Sequence, residues 1–334
     1  LLGGYSNSDS GGEKTEDSRG MDDFWVVKTD AMGNIEWDRT LGGSGQEWLL
    51  TMQPAFDAGY VLGGWSTSNS SGDKTEQSYG RNDFWILKIA ADGTPVWDRT
   101  YGGTDIEVLQ DMQRTTDGNF LLGGFSLSPA DGNKTTGNAG LDDFWVIKMD
   151  NNGTRIWERS FGGAGKDLAY KVRETLLGTY VIAGLTTENS NSDKTENEAG
   201  KTDYWLVNVD AAGDLIWEEV YGGSNNDGLA TLNIALDGGF VLAGQSSSDI
   251  SGDKTENSRG STTFENDVWV IKTACNPPQT IGSDTTLCKN QPLLLDATVA
   301  NCDRCEYTWN DGSTEPQRTF FPTDGSNYQV RIVD

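Results

Sequence analysis

The chain has 334 residues, with 51 acidic against 25 basic side chains for a net charge of −26, and no histidine. That field repels nucleic acid and anionic membranes. The missing imidazole removes the commonest general base, the Ser–His and Cys–His pairs and most catalytic zinc sites, so it weighs against hydrolase chemistry. The 42 glycines and 12 tryptophans beside only 8 prolines suit an all-β protein with many tight turns and a sheet-lined core. No apolar run of about 18 residues is present, and no membrane insertion is expected; neither an initiator Met nor a signal peptide opens the sequence. Leu1-Leu2-Gly3-Gly4 reads as mid-strand, so a piece of a longer, processed protein is expected.

Self-comparison organises the rest. Leu2-Gly3-Gly4-Tyr5-Ser6 returns as Leu62-Gly63-Gly64-Trp65-Ser66 and Leu122-Gly123-Gly124-Phe125-Ser126. It comes again as Ile182-Ala183-Gly184-Leu185-Thr186 and Leu242-Ala243-Gly244-Gln245-Ser246, a period of 60 residues. Asp23-Phe24-Trp25-Val26-Val27-Lys28 follows in register at Asp83, Asp143 and Asp203, then at Asp267 after an insertion around Ser261-Thr262-Thr263-Phe264. Trp37, Trp97, Trp157 and Trp217 mark a third position, each followed by Gly-Gly.

Each period reads as four strands. In the second, Glu47 to Gln53 is followed by a turn at Asp57-Ala58-Gly59 and by Tyr60 to Ser66. Phe84 to Ile89 comes next, with Trp and β-branched residues at strand spacing. Asp92-Gly93-Thr94 then turns into Pro95 to Thr100. A four-stranded antiparallel unit at fixed period predicts a β-propeller, with units near 1–43, 44–103, 104–163, 164–223 and 224–274. The first unit opens at its second strand and the last ends at its third, Val268 to Lys272, so upstream sequence is expected to complete the ring.

Residues 275–334 read as a second, small β-sandwich holding all four cysteines, Cys275, Cys288, Cys302 and Cys305. An even number in so short a stretch predicts disulfides and an oxidising location. Three connectivities exist; Cys275–Cys288 with Cys302–Cys305 closes the shortest loops, and half a zinc site at Cys302–Cys305 is the other reading.

Asp237-Gly238-Gly239-Phe240-Val241-Leu242-Ala243-Gly244 and Asp203-Tyr204-Trp205-Leu206-Val207 resemble the repeats of a family of Bacteroidetes secreted proteins, over residues 1 to about 275. The tail, with Leu293-Leu294-Leu295-Asp296-Ala297, Tyr307-Thr308-Trp309-Asn310-Asp311-Gly312-Ser313 and Tyr328-Gln329-Val330, is similar to the Ig-like or PKD-like modules of those proteins. The resemblance implies export by the type IX secretion system to the cell surface or medium, and no catalysis. Asp284-Thr285-Thr286 looks like the O-glycosylation acceptor of such bacteria, with Thr285 the modified residue. Asn69, Asn133 and Asn152 stand in Asn-x-Ser/Thr triplets and are set aside.

The long loop before the third strand carries Ser71-Gly72-Asp73-Lys74-Thr75-Glu76, and its counterparts include Gly11-Gly12-Glu13-Lys14-Thr15-Glu16 and Asp131-Gly132-Asn133-Lys134-Thr135-Thr136. Ser192-Asp193-Lys194-Thr195-Glu196 and Gly252-Asp253-Lys254-Thr255-Glu256 complete the set. Ser, Thr and carboxylate side chains of this kind tie long loops to backbone. A repeated partner surface is the alternative. A third is a calcium site built from Asp73, Glu76, Asp193, Glu196, Asp253 and Glu256, although the adjacent lysines and the lack of an Asp-x-Asp-x-Asp-Gly template oppose it. The repeated tryptophans point to packing between sheets, whereas Trp48 and Trp65, present once, are candidates for a local binding spot. Asp22-Asp23 and Asp142-Asp143 are adjacent strand residues that face opposite ways and cannot form an acid–base pair. The expectation is a non-catalytic extracellular or surface protein, an adhesin or filament component that meets other surface proteins or glycans or self-assembles. A carbohydrate- or calcium-binding module of a larger secreted protein is the alternative, and no cofactor is required.

Overall fold

The computed structural model describes residues 1–187, 192–195, 199–235, 238–259, 266–273, 293–297, 305–309, 312–320 and 330–333. Among them every regular element is a strand. Strands β1 (Leu2–Ser6), β2 (Asp23–Thr29) and β3 (Ile35–Leu41) form the first sheet. The second holds β4 (Glu47–Pro54), β5 (Tyr60–Ser66), β6 (Asp83–Ile89) and β7 (Pro95–Tyr101). The third holds β8 (Glu107–Arg114), β9 (Phe120–Ser126), β10 (Asp143–Met149) and β11 (Arg155–Phe161). The fourth holds β12 (Asp167–Glu174), β13 (Tyr180–Thr186), β14 (Asp203–Val209) and β15 (Leu215–Tyr221), and the fifth β16 (Asp227–Ile234), β17 (Phe240–Ser246) and β18 (Asp267–Lys272). Strand order follows chain order in each sheet, and the second, third and fourth are four-stranded and antiparallel throughout. The architecture is all-β and propeller-like.

The chain divides into two compact units, Leu1–Leu232 with Ala243–Trp269, and Asn233–Leu242 with Val270–Asp334. Within the first, the Phe-Trp dipeptide joins sheets. Neighbouring strand residues point to opposite faces, so Phe84 meets the following sheet and Trp85 the preceding one. The rings of Phe24 and Trp85, Phe84 and Trp145, and Phe144 and Trp205 sit 4.7 Å apart in each case, tilted by about 45°, and Tyr204 meets Trp269 at 5.1 Å. Each such pair contributes about 0.5–1.5 kcal/mol beyond its buried area.

A second repeated feature is a bulge in the first strand of a sheet, where Leu49 pairs with Gly64 but Thr51 with Gly63; β8 and β12 do the same. The bulge brings a carbonyl oxygen against the second strand. A Cβ on Gly64, Gly124, Gly184 or Gly244 would stand 1.8, 2.0, 1.9 or 2.1 Å from the oxygen of Trp48, Val108, Leu168 or Gly228. The glycine before it tolerates replacement, because Gly63 faces only side-chain ends, and Ala183 and Ala243 take its place later.

In the second unit β19 (Leu293–Asp296) pairs with β21 (Gln317–Phe320), and β20 (Glu306–Trp309) with β22 (Val330–Val333). Ala297, Tyr307, Trp309 and Ile332 form its core, and Trp309 Nε1 donates to the Glu315 carbonyl at 2.7 Å. Cys305 is disulfide-bonded. Cys275, Cys288, Cys302, Thr285 and the insertion at 261–264 lie outside the described residues.

Candidate functional site

The Lys-Thr-Glu loops connect the second and third strands of the later sheets and the corresponding strands β1 and β2 of the first. Their lysine is buried: Lys74 is 1 % exposed and donates Nζ to the Glu76 carbonyl at 2.7 Å and to Thr100 Oγ1 at 2.6 Å. Lys14, Lys134, Lys194 and Lys254 are buried likewise. Desolvation pushes the Lys74 and Lys134 ammonium groups below the usual lysine value, against the pull of nearby carboxylates. The threonine binds a buried acid on the last strand of its own sheet. Thr15 N meets Asp38 at 2.9 Å, Thr75 N meets Asp98 at 3.0 Å, and Thr195 N meets Glu218 at 2.7 Å. Glu16 and Glu76 accept the backbone amides of Thr40 and Thr100 at 2.9 and 2.6 Å. Where Thr136 replaces the glutamate, its hydroxyl reaches Ser160 Oγ at 2.7 Å.

The other half of the loop binds the preceding sheet's exit. Five successive amides of that linker each find a side chain. Gly42 N donates to Asp73 Oδ2 (3.1 Å), Gly43 N to Glu47 (2.8 Å), Ser44 N to Ser71 Oγ (2.9 Å), Gly45 N to Ser68 Oγ (2.7 Å) and Gln46 N to Thr67 Oγ1 (2.8 Å). The pattern recurs at Gly102, where Asn133 accepts at 2.9 Å, and at Gly222, where Asp253 accepts at 3.1 Å. Asn133, one of the Asn-x-Thr asparagines, also donates Nδ2 to the Thr100 carbonyl at 2.7 Å.

Asp73 therefore serves the preceding sheet's exit and Glu76 its own sheet. Asp73 also pairs with Arg19 at 2.7 Å, and burial raises its carboxyl above the usual range. Asp193 bonds through its amide to the Gly162 carbonyl at 3.4 Å, and burial raises its carboxyl too. Asp253 and Glu256 are exposed, and Glu196 lies outside the described residues. Among the described residues no three His, Cys, Asp or Glu side chains gather as a metal would need.

Trp85, Trp145 and Trp205 are fully buried between sheets. Trp37 and Trp157 are half-buried and donate Nε1 to the Ala91 and Ala211 carbonyls, in the hairpins of the next sheets, at 3.2 and 3.0 Å. Trp48 lies between Tyr5 (centroids 4.3 Å apart, 5° between planes) and Trp65 (5.1 Å), with its Nε1 3.3 Å from Asp22 Oδ2. Tyr5 is 44 % exposed and Trp65 9 %. The neighbouring aspartates diverge: Asp23 and Asp143 are buried at the sheet joints, while Asp22 faces Gln46 Nε2 at 3.2 Å and Asp142 faces Lys166 at 3.4 Å. What the sequence hid is the double attachment of the loop, since the serines at 68 and 71 look like ordinary loop polarity.

No family model matches the sequence, and no curated protein matches it either. Among solved structures the chain is similar to a protein of unknown function from Bacteroides caccae, at 10% identity and a TM-score of 0.34, covering 73% of this chain and 83% of that one. It is also similar to the hydrazine synthase of Kuenenia stuttgartiensis, at 11% identity and a TM-score of 0.44, covering 75% of this chain and 57% of that one. Likeness at this level carries no functional argument.

Proposed function

We propose that the chain is a non-catalytic extracellular interaction protein, adhesin-like or a surface-filament component exported by type IX secretion. Its repeated sheets then form part of a closed propeller, followed by an Ig- or PKD-like module. The observation that carries this reading is the contrast within the loops. Their buried anchors repeat, while their exposed tips vary: Asp9-Ser10, Asn69-Ser70, Pro129-Ala130 and Asp249-Ile250 occupy one position, and Asp17, Gln77, Gly137 and Asn257 another. A rigid frame that holds variable tips is how binding surfaces are built on loops. The propeller reading is supported by Val268, 80 % exposed, which stands where Phe24, Phe84, Phe144 and Tyr204 cover the next tryptophan. Trp25 lines a pocket of about 470 Å³ with Leu2, Val27 and Ile35, on the face that such a residue covers in later sheets.

The test is binding of the labelled, purified chain to an array of glycans and to intact bacterial surfaces, beside turnover assays on glycosidase and lyase substrates. Saturable binding that is lost when the tips at 69–70 and 129–130 are exchanged for glycine, without turnover, supports the reading. Turnover of any substrate sinks it. A carbohydrate-binding module is the second reading, favoured by the Tyr5–Trp48–Trp65 cluster that only one joint possesses; Tyr5→Ala then abolishes glycan binding while exchange of the tips does not.

A further inference from the structure

Each joint between consecutive sheets of the first unit buries two acidic side chains, one from either sheet: Asp23 with Glu47, Asp83 with Glu107, Asp143 with Asp167, and Asp203 with Asp227. All eight are at most 1 % exposed. The first aspartate of each pair has one satisfied oxygen, its Oδ2, which accepts the amide of Arg19, Tyr79, Ala139 or Ala199 at 2.6, 2.8, 2.6 or 2.7 Å. Its other oxygen, Oδ1, is buried without a hydrogen-bond partner in all four. That oxygen rests on the linker glycine. A Cβ on Gly42, Gly102, Gly162 or Gly222 would stand 2.0, 1.8, 2.4 or 2.0 Å from it, and the same point at Gly42 and Gly102 lies 2.7 and 2.8 Å from Oε2 of Glu47 and Glu107. An orphaned carboxylate oxygen next to a second carboxylate is costly. Among the described residues no third His, Cys, Asp or Glu joins such a pair as a metal ion would need, whereas one shared proton relieves two carboxylates.

We propose that the joints at Asp23–Glu47, Asp143–Asp167 and Asp203–Asp227 each hold one proton between their two carboxyl groups in mildly acidic solution and release it as the solution turns neutral, which makes the contacts between sheets pH-sensitive. Taking that proton leaves two buried negative charges side by side and weakens the joint. Asp73 and Lys74 also face the Asp23–Glu47 pair, Lys74 and Lys134 the Asp83–Glu107 pair, Lys134 and Asp193 the Asp143–Asp167 pair, and Lys194 and Tyr204 the Asp203–Asp227 pair. Two lysines attend Asp83–Glu107, whereas at the other three joints one lysine ammonium stands near two carboxylates and leaves room for one more positive charge. Burial holds Glu47, Asp83 and Glu107 above the ordinary carboxyl range and pushes Asp143 and Asp203 to about 6. For a carboxyl raised on folding, the native state binds the extra proton, so stability falls as pH rises from the unfolded value through the folded one. With no histidine in the chain, few other groups titrate in that window.

The experiment follows the thermal midpoint of the whole chain from about pH 5 to about pH 8, for the native sequence and for Asp143→Asn and Asp203→Asn. A native midpoint that falls by several degrees, with a shallower slope in each variant, is the expected result. Infrared spectra at about pH 5 provide a second measurement that survives a poorly folding variant: a protonated-carboxyl band is expected in the native chain and reduced in the variants. A midpoint flat or rising across the range, or the lack of that band, overturns the proposal. So does restoration of the alkaline midpoint by calcium or magnesium and its loss on chelation, since the pair would then hold a metal ion.

Discussion

Replacing Arg155 by leucine should repair a defect that the repeat carries at one position. Trp25, Trp85 and Trp205 donate Nε1 to an acid on the last strand of their sheet, Asp38 and Asp98 at 3.1 Å and Glu218 at 2.7 Å. Trp145 has no such partner. The acid is present, but Glu158 gives one oxygen to Arg155 at 2.5 Å and the other to Thr135 and Thr136. Position 155 is Ile35, Pro95 and Leu215 in the other repeats, so only here does a cation compete. Arg155→Leu loses a pair whose arginine is 26 % exposed and a bond to the Asn133 carbonyl at 2.6 Å, together about 1–2 kcal/mol. It gains a buried indole bond to a carboxylate, about 1.5–3 kcal/mol. The variant should be neutral or up to about 1 kcal/mol more stable, a midpoint shift on the order of 2 °C. The sharper reading is a double-mutant cycle by thermal unfolding. Trp145→Phe should cost about 1.5 kcal/mol more in the Arg155→Leu background than in the native one. If that coupling is below about 0.5 kcal/mol, the competition argument is wrong.

Three further outcomes follow from the repeat. Ala58 has a positive φ of 64°, where the other repeats place Gly118, Gly178 and Gly238, so Ala58→Gly should raise stability by about 1 kcal/mol and Gly178→Ala, in open space, should lower it similarly in chemical denaturation. Gly124→Ala drives a carbon to 2.0 Å from the Val108 carbonyl and should cost more than about 3 kcal/mol, whereas exposed Gly137→Ala, which meets nothing, should leave the midpoint unchanged. After chelation, added calcium should not move the midpoint, because Asp73 and Glu76 already hold backbone amides of different sheets; a rise would restore the loops as metal sites.

Period and strands were readable because three markers recur in fixed order: β5 spans Tyr60–Ser66, as the alternation indicates, and β6 starts one residue before Phe84. The tryptophan ladder was readable as packing from its regularity. The bulge was not, since Leu50, Gln110 and Tyr170 share no residue type and only the glycine opposite betrays it. Nor was the burial of Lys74, because a lysine between aspartate and threonine in a loop reads as solvated until its carbonyl acceptors are placed. The acid pairs escaped for another reason: their members lie 24 residues apart, Asp23 and Glu47 for one, and adjacency in space is invisible in either strand alone.

The linker that leaves each sheet is satisfied by side chains that have not yet been made when the linker itself is. Residues 42–46 wait for Thr67, Ser68, Ser71 and Asp73, up to 31 positions later. A nascent chain thus always trails one exit strap with bare amides, and each new sheet locks its predecessor before exposing its own. Assembly of the repeats has a built-in direction, from the first residue toward the last. A module cut for transplantation should begin at a linker and end before the next, since a cut at the sheet's edge separates the strap from the loop that holds it.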